Sequence, residues 1–353
     1  MLNVVEALDA LKGRVPGSAA ATVRYRHFAP LDRKLSVLVL GTALYRNAVE
    51  DTSVELLDAW VELGGNVIDC ARDYGESEWV LGRWLHDTGR RDNVVVITKG
   101  AAPVGGRRRV TPTEISADLL ESLDLLGAGS IELYLLHRDD PSQLVGPLVE
   151  TLNEHRRAGR IAAFGGSNWS TMRLDEANHY ADTHGLEAFC CSSPGLSLAH
   201  QREAPWPECI SADDSRSQDW YRRAGMPVFA WSSQAAGFFA GVESPDVERV
   251  YGTESNRERL RRATELGARI GHTANEVALA WVLGQPFPVY PIIGPRTVAE
   301  LHRSVTALEI ELTQEELRWL NLEAPDSRPS EDRRSADRAD SHSSWRPDAR
   351  SNR

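Results

Sequence analysis

Four side chains spread along this sequence would make an acid catalyst if the fold brought them together. Asp69 ends the apolar run Val67-Ile68, which follows a Gly64-Gly65 turn. Tyr74 comes five residues later, on the way to a helix carrying Val80, Leu81, Trp84 and Leu85. Lys99 ends the run from Asn93 to Thr98, and His137 ends the run from Ile131 to Leu136. A carboxylate at the end of a buried strand is expensive unless it is paired. A phenol with a pKa of about 10 is a poor proton donor at neutral pH, and a neighbouring ammonium lowers that pKa by stabilising the phenolate. Asp69 would hold the ammonium of Lys99, and His137 would orient and polarise a carbonyl oxygen. Lysine is scarce here: Lys12, Lys34 and Lys99 stand in a chain whose other cations are arginines. No side chain supplies a hydride, so the electron pair has to come from a nicotinamide cofactor. Taken singly, each residue has a structural reading, as a paired carboxylate, a rim aromatic, a solvated strand end or a core histidine; the combination gives the chemistry.

The elements that must position these residues repeat eight times. Short apolar runs at 35–40, 66–70, 93–98, 131–136, 161–164, 187–191, 227–231 and 288–293 read as strands, each followed by a helical pattern. Helices are expected from Asp51 or Thr52 to Leu63, with Ser77 as N-cap to His86, from the capping box Thr111-Pro112-Thr113-Glu114, from Pro141 to Arg157, from about Ser170 to Thr183, near 254–270 and 274–284, from Thr297, and from Thr313. Fully apolar strands alternating with amphipathic helices imply an α/β fold with a parallel sheet covered by helices. Eight units imply a closed (β/α)8 TIM barrel, with long loops at 193–217 and 238–253. An open dinucleotide-binding sheet would want a GxGxxG turn after an early strand, and none occurs there. The expected organisation is an N-terminal extension at 1–23, one barrel at 24–325 and a polar, disordered tail at 326–353. In such a barrel the strand C-termini form the active mouth, where Asp69, Lys99 and His137 end their strands.

The chain has 353 residues and a formal net charge of −11, which argues against a nucleic-acid or anionic-membrane surface. No apolar run approaches the ~18 residues of a membrane span, and the N-terminus lacks a signal-peptide pattern. Cys70, Cys190, Cys191 and Cys209 form neither a CxxC pair nor a disulfide framework, so a cytoplasmic location is expected. No metal site is expected.

Over roughly residues 24–322 the sequence resembles the aldo-keto reductases, as an outlying, bacterial-type branch. The motifs that carry the resemblance are Asp69-x-Ala71-x-x-Tyr74-Gly75-x-Ser77-Glu78-x-x-Leu81-Gly82, Thr98-Lys99, Leu136-His137-Arg138-x-Asp140, Gly166-Ser167-Asn168 and Gly294-Pro295-Arg296. The resemblance implies reduction of an aldehyde or ketone to an alcohol, with Asp69, Tyr74, Lys99 and His137 as catalytic tetrad and Tyr74 as proton donor. It implies NADPH, with NADH possible, extended across the barrel mouth. Ser167 and Asn168 would hold the carboxamide, joined at the cofactor site by Thr42 and Ser193. Ser232 and the backbone from Gln234 to Gly237 would take the pyrophosphate. Arg296, beside Gly294 and a helix N-terminus, would hold the 2′-phosphate, and Glu300 would contact the adenine. Substrate contacts are expected from Tyr45, Trp169, Trp206, Phe238 and Phe239, for a small carbonyl compound of sugar-like or aromatic type.

The sequence also departs from the family pattern. Cys70 replaces a usual threonine. After the sixth strand, Ser193 and Leu196 stand where Gln and a stacking Tyr are expected, which leaves Trp231 or another ring to face the nicotinamide. Ser233-Gln234 replaces a frequent Pro-Leu, and Ser304 a frequent Asn. The competing reading is a non-catalytic, NADP-binding regulatory or sensor relative of the same fold.

Overall fold

The computed structural model describes residues 23–44 and 50–323. The expected tail at 326–353 and all of the leading extension except Val23 lie outside the described residues, as does Tyr45. The first element is an antiparallel hairpin of β1 (Tyr25–Phe28) and β2 (Arg33–Ser36), turned at Asp32 with φ +47°. Eight further strands close a parallel barrel in chain order: β3 (Val39–Gly41), β4 (Val67–Asp69), β5 (Val95–Gly100), β6 (Ile131–Leu136), β7 (Ile161–Ser167), β8 (Ser192–Ser193), β9 (Val228–Ala230) and β10 (Val289–Ile293), with β10 pairing back to β3.

Helices wrap this barrel: α1 (Glu50–Glu62), α2 (Ser77–Thr88), α3 (Pro112–Leu125), α4 (Val145–Arg157), α5 (Thr171–Thr183), α6 (Ser215–Ala224), α7 (Pro245–Tyr251), α8 (Glu254–Ile270), α9 (Ala274–Leu283), α10 (Val298–Thr306) and α11 (Gln314–Leu320). The arrangement is a (β/α)8 TIM barrel. Side-chain caps set several helix starts: Thr111, Ser170, Thr253 and Thr297 each accept an amide three residues on. Reciprocal capping boxes open α9 at Thr273 and α11 at Thr313.

Several expected boundaries move: the sixth barrel strand, expected at 187–191, pairs at Ser192–Ser193, and three other boundaries shift for local reasons. The run 35–40 divides between two elements. Leu35 belongs to the hairpin, where it pairs with Arg26, and the barrel strand starts at Val39. The helix expected from Pro141 starts at Val145, because Asp140 first folds the chain over itself by accepting from both the amide and the hydroxyl of Ser142. Ser77 is the first residue of α2 rather than its cap, and its hydroxyl meets that of Thr42.

The core has two layers. Inside the barrel, Val67, Val95, Ile97, Leu133, Leu135, Phe229 and Tyr290 fill the lumen. Phe28 of the hairpin seals the end where the strands begin, with its ring edge-on to Phe229 at 5.8 Å and to Tyr290 at 6.0 Å. Outside the barrel, Leu56, Trp60, Leu81, Leu119, Leu148, Leu152, Leu266 and Trp281 lock helices onto strands. Gly82 belongs to this outer layer: a Cβ there would overlap the carbonyl of Leu125, so only glycine lets α2 approach the end of α3.

Candidate active site

β4, β5 and β6 end side by side, which is how residues far apart in sequence come to meet. Asp69 pairs with Ile97, and Lys99 with Leu135, in consecutive parallel ladders. The Lys99 ammonium lies 2.6 Å from Asp69 Oδ1, with the two side chains 2% and 3% exposed. It also donates to the carbonyl of Cys70 at 3.0 Å and reaches the Tyr74 hydroxyl at 3.4 Å. Tyr74 is delivered by a tight turn after β4: its amide donates to Ala71, its carbonyl accepts from Ser77, and Gly75 takes a φ of +60° that suits glycine. The His137 ring stands edge-on to the Tyr74 ring at 5.5 Å. The structure therefore brings Asp69, Tyr74, Lys99 and His137 into one cluster at the strand C-termini.

Burial governs the electrostatics. Burial alone would lower Lys99, but the Asp69 carboxylate overrides it and holds the ammonium above its ordinary range. Burial raises Asp69, and Lys99 pulls against it. The Tyr74 phenol is pushed up to about 12, because burial outweighs the pull of Lys99. This corrects the sequence-based expectation that a neighbouring ammonium would bring the phenol down. Lys99 does act in that direction, but its charge is already held by Asp69, and the phenol is desolvated. The result is a phenol that stays protonated through the neutral range. His137 is pushed down to about 4, again chiefly by burial, so its imidazole is neutral.

Two supports add to the cluster beyond the four residues expected to form it. Glu78, buried in α2, accepts from the Thr98 hydroxyl at 2.5 Å and so braces the strand end that carries Lys99. Asp73 places Oδ1 2.9 Å from His137 Nδ1. A carboxylate one residue before the catalytic-type tyrosine was the available clue to Asp73.

Beside this cluster, β7 and β8 bring Ser167, Asn168 and Ser193 together. The Ser167 hydroxyl donates to the Ser193 carbonyl at 3.0 Å, and the Asn168 amide donates to the His137 carbonyl at 3.1 Å. The Asn168 carbonyl accepts from the Ile210 amide, tying the long loop to the strand end. Ser193 Oγ is buried and without a hydrogen-bond partner among the described residues, as is Trp231 Nε1. Orphaned polar atoms at a strand end fit a polar ligand such as a carboxamide. Trp231 follows β9 directly, half-buried and packed near Gly195. Leu196, by contrast, is wholly buried. Trp231, beside Ser232, offers a half-buried aromatic face at this mouth.

From Ser232 the backbone makes a left-handed passage: Ser232, Ala235, Ala236 and Gly237 all have positive φ. Such bends turn backbone N–H groups into an anion-binding concavity. The two sequence departures here are partners, since Gln234 Nε2 donates to Ser304 Oγ at 3.3 Å. Arg296 is exposed, and its backbone amide donates to Glu300 Oε2 at 2.7 Å. Gly294 is exposed beside it. These groups fit the phosphates of an extended nicotinamide dinucleotide.

Several expected contacts are used otherwise. The Thr42 hydroxyl donates to the Asp69 carbonyl at 2.9 Å and meets Ser77, so it braces β4. Trp169 is fully buried, packed 4.9 Å from Phe189 with its indole N–H donating to Arg138; it has no surface to offer a substrate. Phe238 and Phe239 are buried, and Phe238 packs toward Tyr251. Trp206 is 59% exposed and lies 6.3 Å from Trp231, on the rim. No helix among the described residues is long and apolar enough to cross a membrane.

Comparison with known proteins agrees with this geometry. The Aldo/keto reductase family model matches residues 37–321. The chain is 29% identical over 320 residues to the uncharacterised oxidoreductase YrpG of Bacillus subtilis, covering 85% of this chain and 95% of that protein. It is 29% identical over 314 residues to a norsolorinic acid reductase of Emericella nidulans (80% and 77% of the two chains). It is 24% identical over 302 residues to a probable aryl-alcohol dehydrogenase of Saccharomyces cerevisiae (78% and 88%). With a family model spanning most of its length and a closed barrel bearing the expected polar residues at its mouth, this chain belongs to the aldo/keto reductase family and is an NAD(P)H-dependent oxidoreductase of that type.

Proposed function

We propose that this protein reduces an aldehyde or ketone to an alcohol with NADPH as reductant and Tyr74 as proton donor. The observation that carries the reading is the buried Asp69–Lys99 pair with the Tyr74 hydroxyl 3.4 Å from the ammonium. When bound, the dihydronicotinamide supplies a hydride, a proton with two electrons, to the carbonyl carbon. The carbonyl π pair moves onto oxygen as the hydride arrives, and the oxygen takes the phenolic proton from Tyr74. Lys99 then faces the phenolate left behind, an ammonium already fixed in place by Asp69. Solvent returns the proton to Tyr74. Positioning within one dry mouth removes much of the entropy of the encounter.

Ser167, Asn168 and Ser193 would hold the carboxamide end, Trp231 the ring face, and the bend from Ser232 to Gly237 the pyrophosphate. Arg296 is the group that favours NADPH over NADH, because a planar guanidinium beside a helix start suits a 2′-phosphate. Names of relatives that include a norsolorinic acid reductase and an aryl-alcohol dehydrogenase support a carbonyl or alcohol substrate of small-molecule size. The reductase unit in this reading is the single barrel at 24–325, working in a reducing cytoplasm that suits four free cysteines. The sensor alternative is not favoured: all four residues of the acid catalyst are present and meet in one cluster.

The test is NADPH oxidation across a panel of aldehydes and ketones with Tyr74→Phe as control. Turnover by the native chain, reduced about 10²–10⁴-fold in the variant, is the expected result. Turnover that survives Tyr74→Phe refutes the assignment of the proton donor.

A further inference from the structure

The backbone carbonyl of His137 is held by two side chains from outside its strand. Arg138 Nη1 donates to it at 2.9 Å and Asn168 Nδ2 at 3.1 Å, which fills both lone pairs. On the other side, the His137 amide donates to the Gly100 carbonyl at 2.8 Å. The same two side chains turn their remaining groups to one segment of the long loop after β8. Arg138 Nε donates to the Pro207 carbonyl at 3.3 Å, and the Asn168 carbonyl accepts from the Ile210 amide at 3.2 Å. Residues 206–210 therefore form a strap laid over the strand ends. Arg108, on the loop after β5, pins it from a third side: its Nε donates to Glu208 Oε1, while its Nη1 reaches Asp140 at 3.2 Å. Glu208 takes a φ of +63°, in the left-handed region that residues with a side chain rarely adopt. Such a conformation persists only where the surroundings over-determine it, and three tethers do so here.

Trp206 opens the strap. It is 59% exposed, it is next in the chain to the carbonyl that Arg138 holds, and its ring lies 6.3 Å from Trp231 just after β9. It therefore stands between the β6 and β9 sides of the mouth. A single indole on a surface needs no explanation. This one is kept at the rim by tethers that also hold His137. A substrate whose carbonyl meets Tyr74 has its far end at that rim. Resting on the carbonyl-reductase reading above, we propose that Arg138 is a positioning residue that fastens the strap to His137, and that Trp206 is thereby a fixed wall selecting carbonyl compounds with a second flat ring remote from the carbonyl. The reduction step is unchanged: hydride to the carbonyl carbon, the π pair to oxygen, the proton from Tyr74.

Two measurements on the full chain test this. First, calorimetry on the complex with NADP⁺, which carries no hydride to give, reads the Kd of naphthalene-2-carbaldehyde and of benzaldehyde without turnover. Trp206→Ala should cut the preference for the two-ring aldehyde about fivefold, the size of one ring contact. Arg138→Met should cut it by a similar factor with the Kd for NADPH nearly unchanged, and Arg138→Lys, which keeps a cationic donor, should recover part of it. The double variant Trp206→Ala/Arg138→Met should be no worse than Trp206→Ala alone, because Arg138 acts through that ring. A preference unchanged in Trp206→Ala overturns the wall. Additive losses in the double variant, an equal loss of affinity for NADPH, or a preference kept in Arg138→Met overturns the positioning role. Second, the kcat/KM ratio for the same two aldehydes, measured by NADPH oxidation, should follow the Kd ratio across these variants, and a ratio that stays fixed overturns the assignment of specificity to the strap. Binding that depends on Trp206 without NADPH oxidation on either aldehyde supports the wall and counts against the reductase reading alone.

Discussion

Replacing Lys99 by methionine keeps most of the side chain's volume and removes its charge. In the native protein the ammonium sits 2.6 Å from Asp69, with both side chains almost wholly buried. In the variant the carboxylate faces no cation and has two recourses. It can remain ionised, at about 3–5 kcal/mol for an unpaired buried charge. It can take up a proton, which at pH 7 costs an ordinary carboxyl at most about 4 kcal/mol, at about 1.36 kcal/mol per pKa unit. Burial already raises Asp69, which lowers that second figure. The expected loss is therefore about 2–4 kcal/mol at neutral pH.

The pH dependence of that loss has a definite sign. In the variant the folded-state pKa of Asp69 lies above its ordinary value of 3.8. The native state then binds more protons than the unfolded chain, so the penalty is absent below about pH 4, grows as pH rises, and levels off above the folded pKa. Urea unfolding followed by tryptophan fluorescence from about pH 5 to about pH 8 should show this slope for Lys99→Met relative to the native chain. The double variant Asp69→Asn/Lys99→Met should recover at least half of the lost stability, because nothing charged remains unpaired. It should not recover NADPH-dependent turnover. A single-variant loss below about 1 kcal/mol with no pH slope, or a double variant less stable than the single, refutes the reasoning.

Other expectations follow from individual contacts. Arg296→Ala should weaken NADPH about 10–100-fold while leaving NADH nearly untouched, as measured by fluorescence titration; equal losses refute a 2′-phosphate role. Trp231→Ala should raise the Kd for NADPH about threefold to tenfold, the size of one ring contact, and an unchanged Kd removes Trp231 from the nicotinamide. With Tyr74 at about 12 and His137 at about 4, the rate of the reduction step should stay flat across the neutral range. It should fall only as rising pH deprotonates the phenol, and a bell centred near neutrality refutes that assignment. Gly82→Ala should destabilise the fold by about 1–3 kcal/mol by prising α2 from the end of α3, with KM values unchanged.

The barrel could be read in the sequence because its strands are short and almost entirely apolar, and because the residue that breaks each run, as at Asp69 or Lys99, marks the mouth. Boundaries failed where a side chain substitutes for the ladder. Residues 187–191 read as the sixth strand, yet the ladder there is confined to Ser192–Ser193. Asn153 and Asn178 hold the preceding segment instead, bonding the backbone of Glu187 and Phe189. Residue type made the cluster legible, but it carried no information on burial. Hence the ammonium beside Tyr74 predicts a downward shift where burial imposes an upward one, and Trp169, an expected substrate contact, is sealed beneath the mouth. The Gln234–Ser304 contact shows a further limit: two departures 70 residues apart look like independent losses until the fold makes them neighbours.

Phe28, wedged against Phe229 and Tyr290, makes the barrel one-ended. The lumen behind that ring is already filled with side chains, so no ligand can pass through the molecule and every reactant must use the opposite end. Trimming this one ring should therefore register as a less stable fold while the chemistry at the mouth goes on as before.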